Sequence, residues 1–163
     1  MKSSSFIKRT ASVFSAILVL FLSFNLMSCK NGTEVEFVYY DISGKWKDAY
    51  SYYEISETEF KTYGESFDGY AGNSLLIAKT SSDSGYIYIK YTKAMNKDYS
   101  YSETAPDVGK WYAIAFKDLT SNSVSLSGAY KEGGKTSTET LEEAINEFTI
   151  KNGYFGTYSE CTK

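Results

Sequence analysis

From Glu34 onward the chain is written in short runs in which every second residue is apolar or aromatic, separated by clusters of Gly, Ser, Asn and Asp. A β-strand sends successive side chains to opposite faces, so a period of two marks strands with one buried face, and the polar clusters between them mark turns. The clearest runs are Glu36–Tyr40, Lys45–Ile55, Glu59–Tyr63, Ser74–Thr80, Tyr86–Thr92, Lys110–Asp118, Ser123–Tyr130 and Tyr154–Glu160. The pattern predicts a mainly β fold of about eight strands. Ser81–Gly85 reads as a five-residue hairpin loop. Met95–Asp107 is the longest irregular stretch, carries the single proline, Pro106, and is expected to lie at a rim or cover one.

One segment breaks the period. Thr140 and Glu143 stand at capping-box spacing, and Leu141, Ala144, Ile145 and Phe148 recur at i, i+3, i+4 and i+7 while Glu142, Glu143 and Glu147 fall elsewhere. This predicts one late amphipathic helix docked on the sheet. Asn152-Gly153 is read as its C-cap, with the centre of a tight hairpin as the alternative.

The first 28 residues have a different character. Lys2, Lys8 and Arg9 precede a mostly apolar run, Ala11–Leu26, that is short for a membrane span, which needs about 20 apolar residues. A basic head followed by such a run is the layout of a secretory signal. Leu26-Met27-Ser28-Cys29 follows at once and resembles the lipobox of bacterial lipoproteins, with Met27 a departure from the commonest choice. The resemblance implies cleavage after Ser28, lipidation of Cys29, and anchoring through more than one acyl chain. Residues 30–33 are then a polar tether and 34–163 the folded domain. Lys30 rather than Asp after the cysteine favours the outer membrane, by the sorting habit of Gram-negative lipoproteins.

Subtracting 28 residues from 163 leaves 135, one domain's worth of chain. The removed segment holds three of the 17 Lys and Arg and no acid, so the mature chain sets 14 against 20 and carries a net charge of −6. An acidic body argues against nucleic acid and against an electrostatic hold on anionic lipid. There is no His, and one Cys, Cys161, remains once Cys29 is lipidated. Ser-His-Asp and Cys-His nucleophile systems and the common zinc clusters are therefore excluded. The acids show neither calcium-loop spacing nor a carboxylate pair, and Gly133-Gly134-Lys135-Thr136 lacks the rest of a phosphate loop. No catalytic residue, metal or cofactor is expected. Cys161 is expected to be a reduced, buried thiol in a monomer.

Ile42-Ser43-Gly44-Lys45-Trp46, at the start of the first long strand, resembles the Gly-x-Trp opening of lipocalins and their calycin relatives. In those barrels the Trp closes the floor of a cup. The likeness extends to about eight up-and-down strands, one helix late in the chain, and a last strand after it. It implies a small antiparallel up-and-down β-barrel with Gly44 and Trp46 as the floor motif. It also implies a basic residue near the end of the barrel that packs on the Trp, which the sequence does not identify. Closure would remove the edge strands that a chain rich in Tyr, Val and Ile otherwise exposes. The tyrosine-rich, histidine-free character also resembles surface lipoproteins of spirochaetes such as treponemes.

Gly109-Lys110-Trp111 echoes Gly44-Lys45-Trp46, and on its strand Trp111, Ala113 and Ala115 share one face while Tyr112, Ile114 and Phe116 share the other. If Trp111 faces inward like Trp46, the two alanines leave inner volume open, and Trp46, Trp111, Ala113 and Ala115 line a ligand pocket. In the opposite orientation the larger residues fill the interior and the alanines lie beneath the helix. The mature chain holds 24 aromatics, 16 of them Tyr, which suits strand packing or a binding surface alike. Two functions follow as expectations: a non-catalytic envelope lipoprotein serving as a surface, structural or host-interaction module, or a lipocalin-like carrier of one small apolar or amphipathic ligand.

Overall fold

The computed structural model describes the backbone of Glu36–Phe37 and residues 42–163. The chain divides into two units, Met1–Glu34 and Val35–Lys163. The signal, the lipidation site Cys29 and the tether lie outside the described residues.

The alternating runs form ten strands: β1 (Glu36–Phe37), β2 (Gly44–Lys47), β3 (Ser51–Ile55), β4 (Glu59–Gly64), β5 (Asp68–Lys79), β6 (Gly85–Met95), β7 (Tyr101–Ser102), β8 (Trp111–Lys117), β9 (Ser123–Gly128) and β10 (Ser159–Thr162). One helix, α1 (Leu141–Glu147), lies between β9 and β10. Eight strands pair antiparallel with their neighbours in chain order, β2-β3-β4-β5-β6-β8-β9-β10, and the ring closes through Thr162 of β10 against Lys47 of β2. This is an up-and-down barrel. The two-residue strands β1 and β7 add to it, on the β5 pair Ala78 and Lys79 and on the β6 pair Ala94 and Met95.

Closure is possible because one strand serves two partners along its length. β5 pairs β4 through Asp68, Ala71, Gly72 and Asn73, and pairs β6 from Ala71 to Lys79, with register shifts around Ala71–Gly72 and Asn73–Leu76. Ser74 takes a left-handed φ of 54° there. Such irregularities bend a strand and raise its twist, which is what curls a sheet onto itself.

Four of the runs differ in extent from the sequence reading. Lys45–Ile55 is two strands joined by a turn: Asp48 Oδ1 accepts the N–H groups of Tyr50 and Ser51 at 2.8 and 2.6 Å, and Asp48 N–H donates to the Ser51 carbonyl at 3.0 Å. The aspartate side chain mimics a backbone turn, and the strand doubles back at once. Tyr154–Glu160 becomes a strand only at Ser159; Tyr154 and Phe155 are buried in a coil laid against the wall. Ser74–Thr80 and Tyr86–Thr92 extend to β5 and β6.

The helix forms with the expected N-terminal capping box. Thr140 Oγ1 accepts Glu143 N–H at 3.2 Å and the Glu143 carboxylate accepts Thr140 N–H at 3.3 Å. Ala144 and Phe148 are fully buried, with Leu141 and Ile145 packed at the margin of the core. Its C-terminal carbonyls, on Asn146 and Glu147, accept the Asn152 amide at 2.9 and 2.8 Å. The C-cap itself is Phe148, earlier than the expected Asn152-Gly153; the Asn152 side chain satisfies the last carbonyls from beyond the end, and no hairpin forms there. Gly153, with φ 84°, turns the chain back toward Tyr154.

Met95–Asp107 lies at one end of the barrel. The segment is tied down by Asn96 N–H to Ser100 O, Gly109 N–H to Tyr91 O and Thr136 Oγ1 to Asp107 Oδ2, at 2.7, 2.8 and 2.7 Å.

Candidate functional site

A barrel of eight strands either holds one small ligand or is filled by its own side chains. The inner face carries Trp46, Phe60, Ile87, Ile89, Ile114, Phe116, Val124, Leu126 and Cys161, each no more than 2 % exposed. At the end near Met95–Asp107, aromatic rings continue this filling as a chain. Tyr53 meets Phe60 at 6.5 Å, Phe60 stacks on Tyr70 at 5.7 Å, and Tyr70 meets Tyr91 and Tyr112 at 6.0 and 5.4 Å. Tyr91 stacks on Tyr112 at 4.9 Å, Tyr112 meets Phe148 of α1 at 6.0 Å, and Phe148 meets Tyr154 at 5.1 Å. Edge-to-face and offset pairs of this kind add about 0.5–1.5 kcal/mol each beyond area burial. The helix thus contributes a ring to the barrel interior.

Burial pushes the hydroxyls of Tyr70, Tyr91 and Tyr112 well above the ordinary phenol range and that of Tyr53 up to about 12. All four remain neutral phenols at physiological pH, unable to supply the phenolate a general base would need. They act as apolar filling with a polar edge.

The pocket expected from Trp46, Trp111, Ala113 and Ala115 does not form. Register puts Tyr112, Ile114 and Phe116 on the inner face, beside Ile89, Ile87 and Gly85 of β6. Ala113 and Ala115 pair with Tyr88 and Tyr86 on the outer face, where Phe155 covers Tyr86 at 5.5 Å between ring centres. Trp111 shares that outer face and exchanges backbone hydrogen bonds with Thr138. The alanines are buried on that outer side, where α1 also packs against β8, rather than facing a void inside. A Cβ on Gly128, on the inner side next to β8, would come within 2.5 Å of the Tyr112 hydroxyl, so even that glycine's space is taken.

Trp46 and Trp111, which follow matching tripeptides, thus face opposite ways. Trp46 is completely buried, donates its indole N–H to the Ile42 carbonyl at 2.8 Å, and is covered by the Lys163 ammonium 4.5 Å from the ring centre. Gly44 has φ 131°, and a Cβ on it would lie 3.1 Å from Lys163 Cε. Lys163 is the basic partner of the tryptophan that the sequence did not identify. The two residues are 117 positions apart, and only strand closure brings them together.

On the outer wall, β2, β3 and β4 carry an ordered ladder. Tyr52 and Tyr63, cross-strand neighbours, stack at 5.3 Å; Lys45 lies 4.6 Å from the Tyr52 centroid and Lys47 lies 4.9 Å from it. Glu54 receives the Tyr63 hydroxyl at 2.5 Å and faces Lys45 at 3.6 Å. Lys45 is thus paired with Glu54, while Lys47 rests on the Tyr52 ring.

Two open clefts, of about 260 and 300 Å³, lie on the surface of the barrel. The first is lined by Gly44, Lys45, Glu54, Ile55, Ser56, Glu59 and Lys61, and the second by the Ser127–Glu132 and Gly153–Thr157 segments. Among the described residues no three His, Cys, Asp or Glu side chains converge on a metal-sized point, and no helix is long and apolar enough to cross a membrane. Cys161 is buried, its thiol donating to the Ser159 carbonyl at 3.4 Å, and burial raises its pKa to about 12.

No protein-family model, curated protein or solved structure matches the chain.

Proposed function

We propose that the chain is a membrane-anchored envelope lipoprotein acting as a non-catalytic surface or structural module, with the barrel as a rigid support for its loops. The observation that carries this reading is the run of rings from Tyr53 to Phe148, which occupies the volume where a carrier of this shape would hold its ligand. A filled interior favours a support over a carrier, because a drug-sized ligand needs a cleft of roughly 300 Å³ or more that surrounds it. The anchor rests on the lipobox around Cys29 and the basic, apolar segment before it. Outer-membrane placement rests on Lys30, and the monomer on a domain large enough to fold without a covalent clamp.

Native and intact mass spectrometry of the protein purified from its own cells tests both halves. The expected result is a diacylglyceryl mass on Cys29, absent from Cys29→Ala, and no co-purifying small molecule. A stoichiometric small ligand would replace this reading with the carrier. An unlipidated, signal-cleaved chain would remove the anchor.

A further inference from the structure

Six large apolar side chains are exposed among the described residues: Tyr50, Phe67, Met95, Tyr99, Tyr130 and Ile150, with the three tyrosines 76–82 % open. Strand direction puts all six at the same end of the barrel. Tyr50 is in the β2–β3 turn, Phe67 in the β4–β5 turn, Met95 closes β6, Tyr99 is in the β6–β7 turn, and Tyr130 and Ile150 are in the β9–β10 crossover. The connections at the other end, residues 56–58, 80–84 and 118–122, hold none of them. β2 begins at Gly44 on that other end, so the domain enters its barrel from the side opposite the exposed rings.

Single exposed apolar residues are ordinary. Here six share one end, the end that carries the longer connections, residues 96–110 and 129–158, and folding gains nothing from rings left in water. Tyrosines are large, amphipathic and lose few rotamers on contact; set among Ser, Asn, Gly and Asp, they give a loop the composition of protein-recognising loops. Charge at this end narrows the partner. In the connections at this end seven exposed acids, Glu65, Asp98, Glu103, Glu132, Glu139, Glu142 and Glu143, stand against four exposed lysines, Lys97, Lys131, Lys135 and Lys151. Such a surface repels anionic headgroups and attracts cations, and a guanidinium can lie on a tyrosine face while pairing with a carboxylate. We propose that the tyrosine-rich, acidic end of the barrel is a docking face for a Lys- and Arg-rich protein surface. This rests on the reading of the chain as a surface module and names the chemistry of its partner.

The probe is a phage-displayed library of random 12-residue peptides, selected on the full chain purified in detergent, with the enriched peptides then synthesised. Enrichment of Lys- and Arg-bearing sequences is expected, with affinity that falls as salt rises. Hydrogen-exchange protection should be confined to residues 48–51, 65–67, 96–100 and 130–135. Replacing Tyr50, Tyr99 and Tyr130 together by Ser should weaken binding at least tenfold and leave the thermal midpoint within a few degrees, because these rings are not part of the core. Absence of enriched peptides, neutral or acidic winners, or protection on the Lys45–Tyr52–Tyr63 wall or the opposite end would overturn the proposal. So would flotation of the Cys29→Ser full chain with phosphatidylethanolamine and phosphatidylglycerol vesicles that depends on the same three tyrosines, since the face would then be a membrane contact. Intact mass reads the Cys29 lipid separately, so loss of the anchor and loss of the docking face give different results.

Discussion

Trp46 shows how much one residue can fix in this barrel. Its indole is buried on every side, its N–H is satisfied by the Ile42 carbonyl, and its remaining face is closed by Lys163. Trp46→Ala should therefore cost about 3–5 kcal/mol, the usual range for a large aromatic in a core, whereas Lys163→Ala should cost only about 0.5–1 kcal/mol, as for an exposed cation over a ring. Urea midpoints of the two variants check both figures. Cys161, on the same inner face, should be inert: a buried thiol with a pKa near 12 presents almost no thiolate at pH 8, so iodoacetamide should label it only in denaturant. Rapid labelling of the native chain would mean that β10 opens from its neighbours. Asp48 carries a pH dependence. Burial opposes its ionisation, but the N–H groups of Tyr50 and Ser51 and the hydroxyls of Ser159 and Tyr53 outweigh this and hold its pKa below the ordinary value of 3.8. A depressed carboxyl stabilises the fold above its unfolded pKa and loses that contribution as pH falls through the folded one. The stability gap between wild type and Asp48→Asn should accordingly be constant above about pH 5 and close below pH 3.8.

At the level of elements, the helix is the piece most fully written in the sequence. Cap, acidic first turn and apolar stripe are local signals, and the structure uses all three. Thr140→Ala should cost about 1 kcal/mol, the typical worth of an N-cap, and Asn152→Ala should fray the last turn, both measurable as shifts in chemical denaturation. Strand existence was legible for the same reason: in β3 and β4 one face meets water and the other meets the core, so residue types alternate. Where both faces are buried, the alternation vanishes. β8 is buried on both faces from Tyr112 to Phe116, with α1 packed against the strand and Phe155 on the neighbouring Tyr86, so nothing in Trp111–Phe116 says which side holds the small alanines. The Asp48 turn was hidden for a different reason. Its acid sits inside an otherwise unbroken strand-like run, and only the hydrogen bonds to Tyr50 and Ser51 reveal that the chain reverses there. Lys163 over Trp46 had no local signal at all, since it exists only after β10 meets β2.

For the whole molecule, the question of support or carrier turns on whether the space inside belongs to the protein. Phe60 is fully buried, in ring contact with Tyr53 and Tyr70 and opposite Ile55 in the strand pair. Phe60→Ala should leave a dry void and cost about 3–5 kcal/mol; apolar cavities made in this way stay empty of water and accept benzene. Benzene should therefore raise the thermal midpoint of Phe60→Ala and leave that of the wild type unchanged. Phe60→Leu, which gives up less volume, provides the same comparison should the alanine variant unfold. Phe148→Ala adds a second site for the test, because it removes the helix's ring from the other end of the run and should create a separate benzene-responsive void next to Tyr112. Stabilisation of the wild-type chain by benzene, or by a medium-chain fatty acid, would show a hollow that the native rings do not fill and would return the carrier reading to first place.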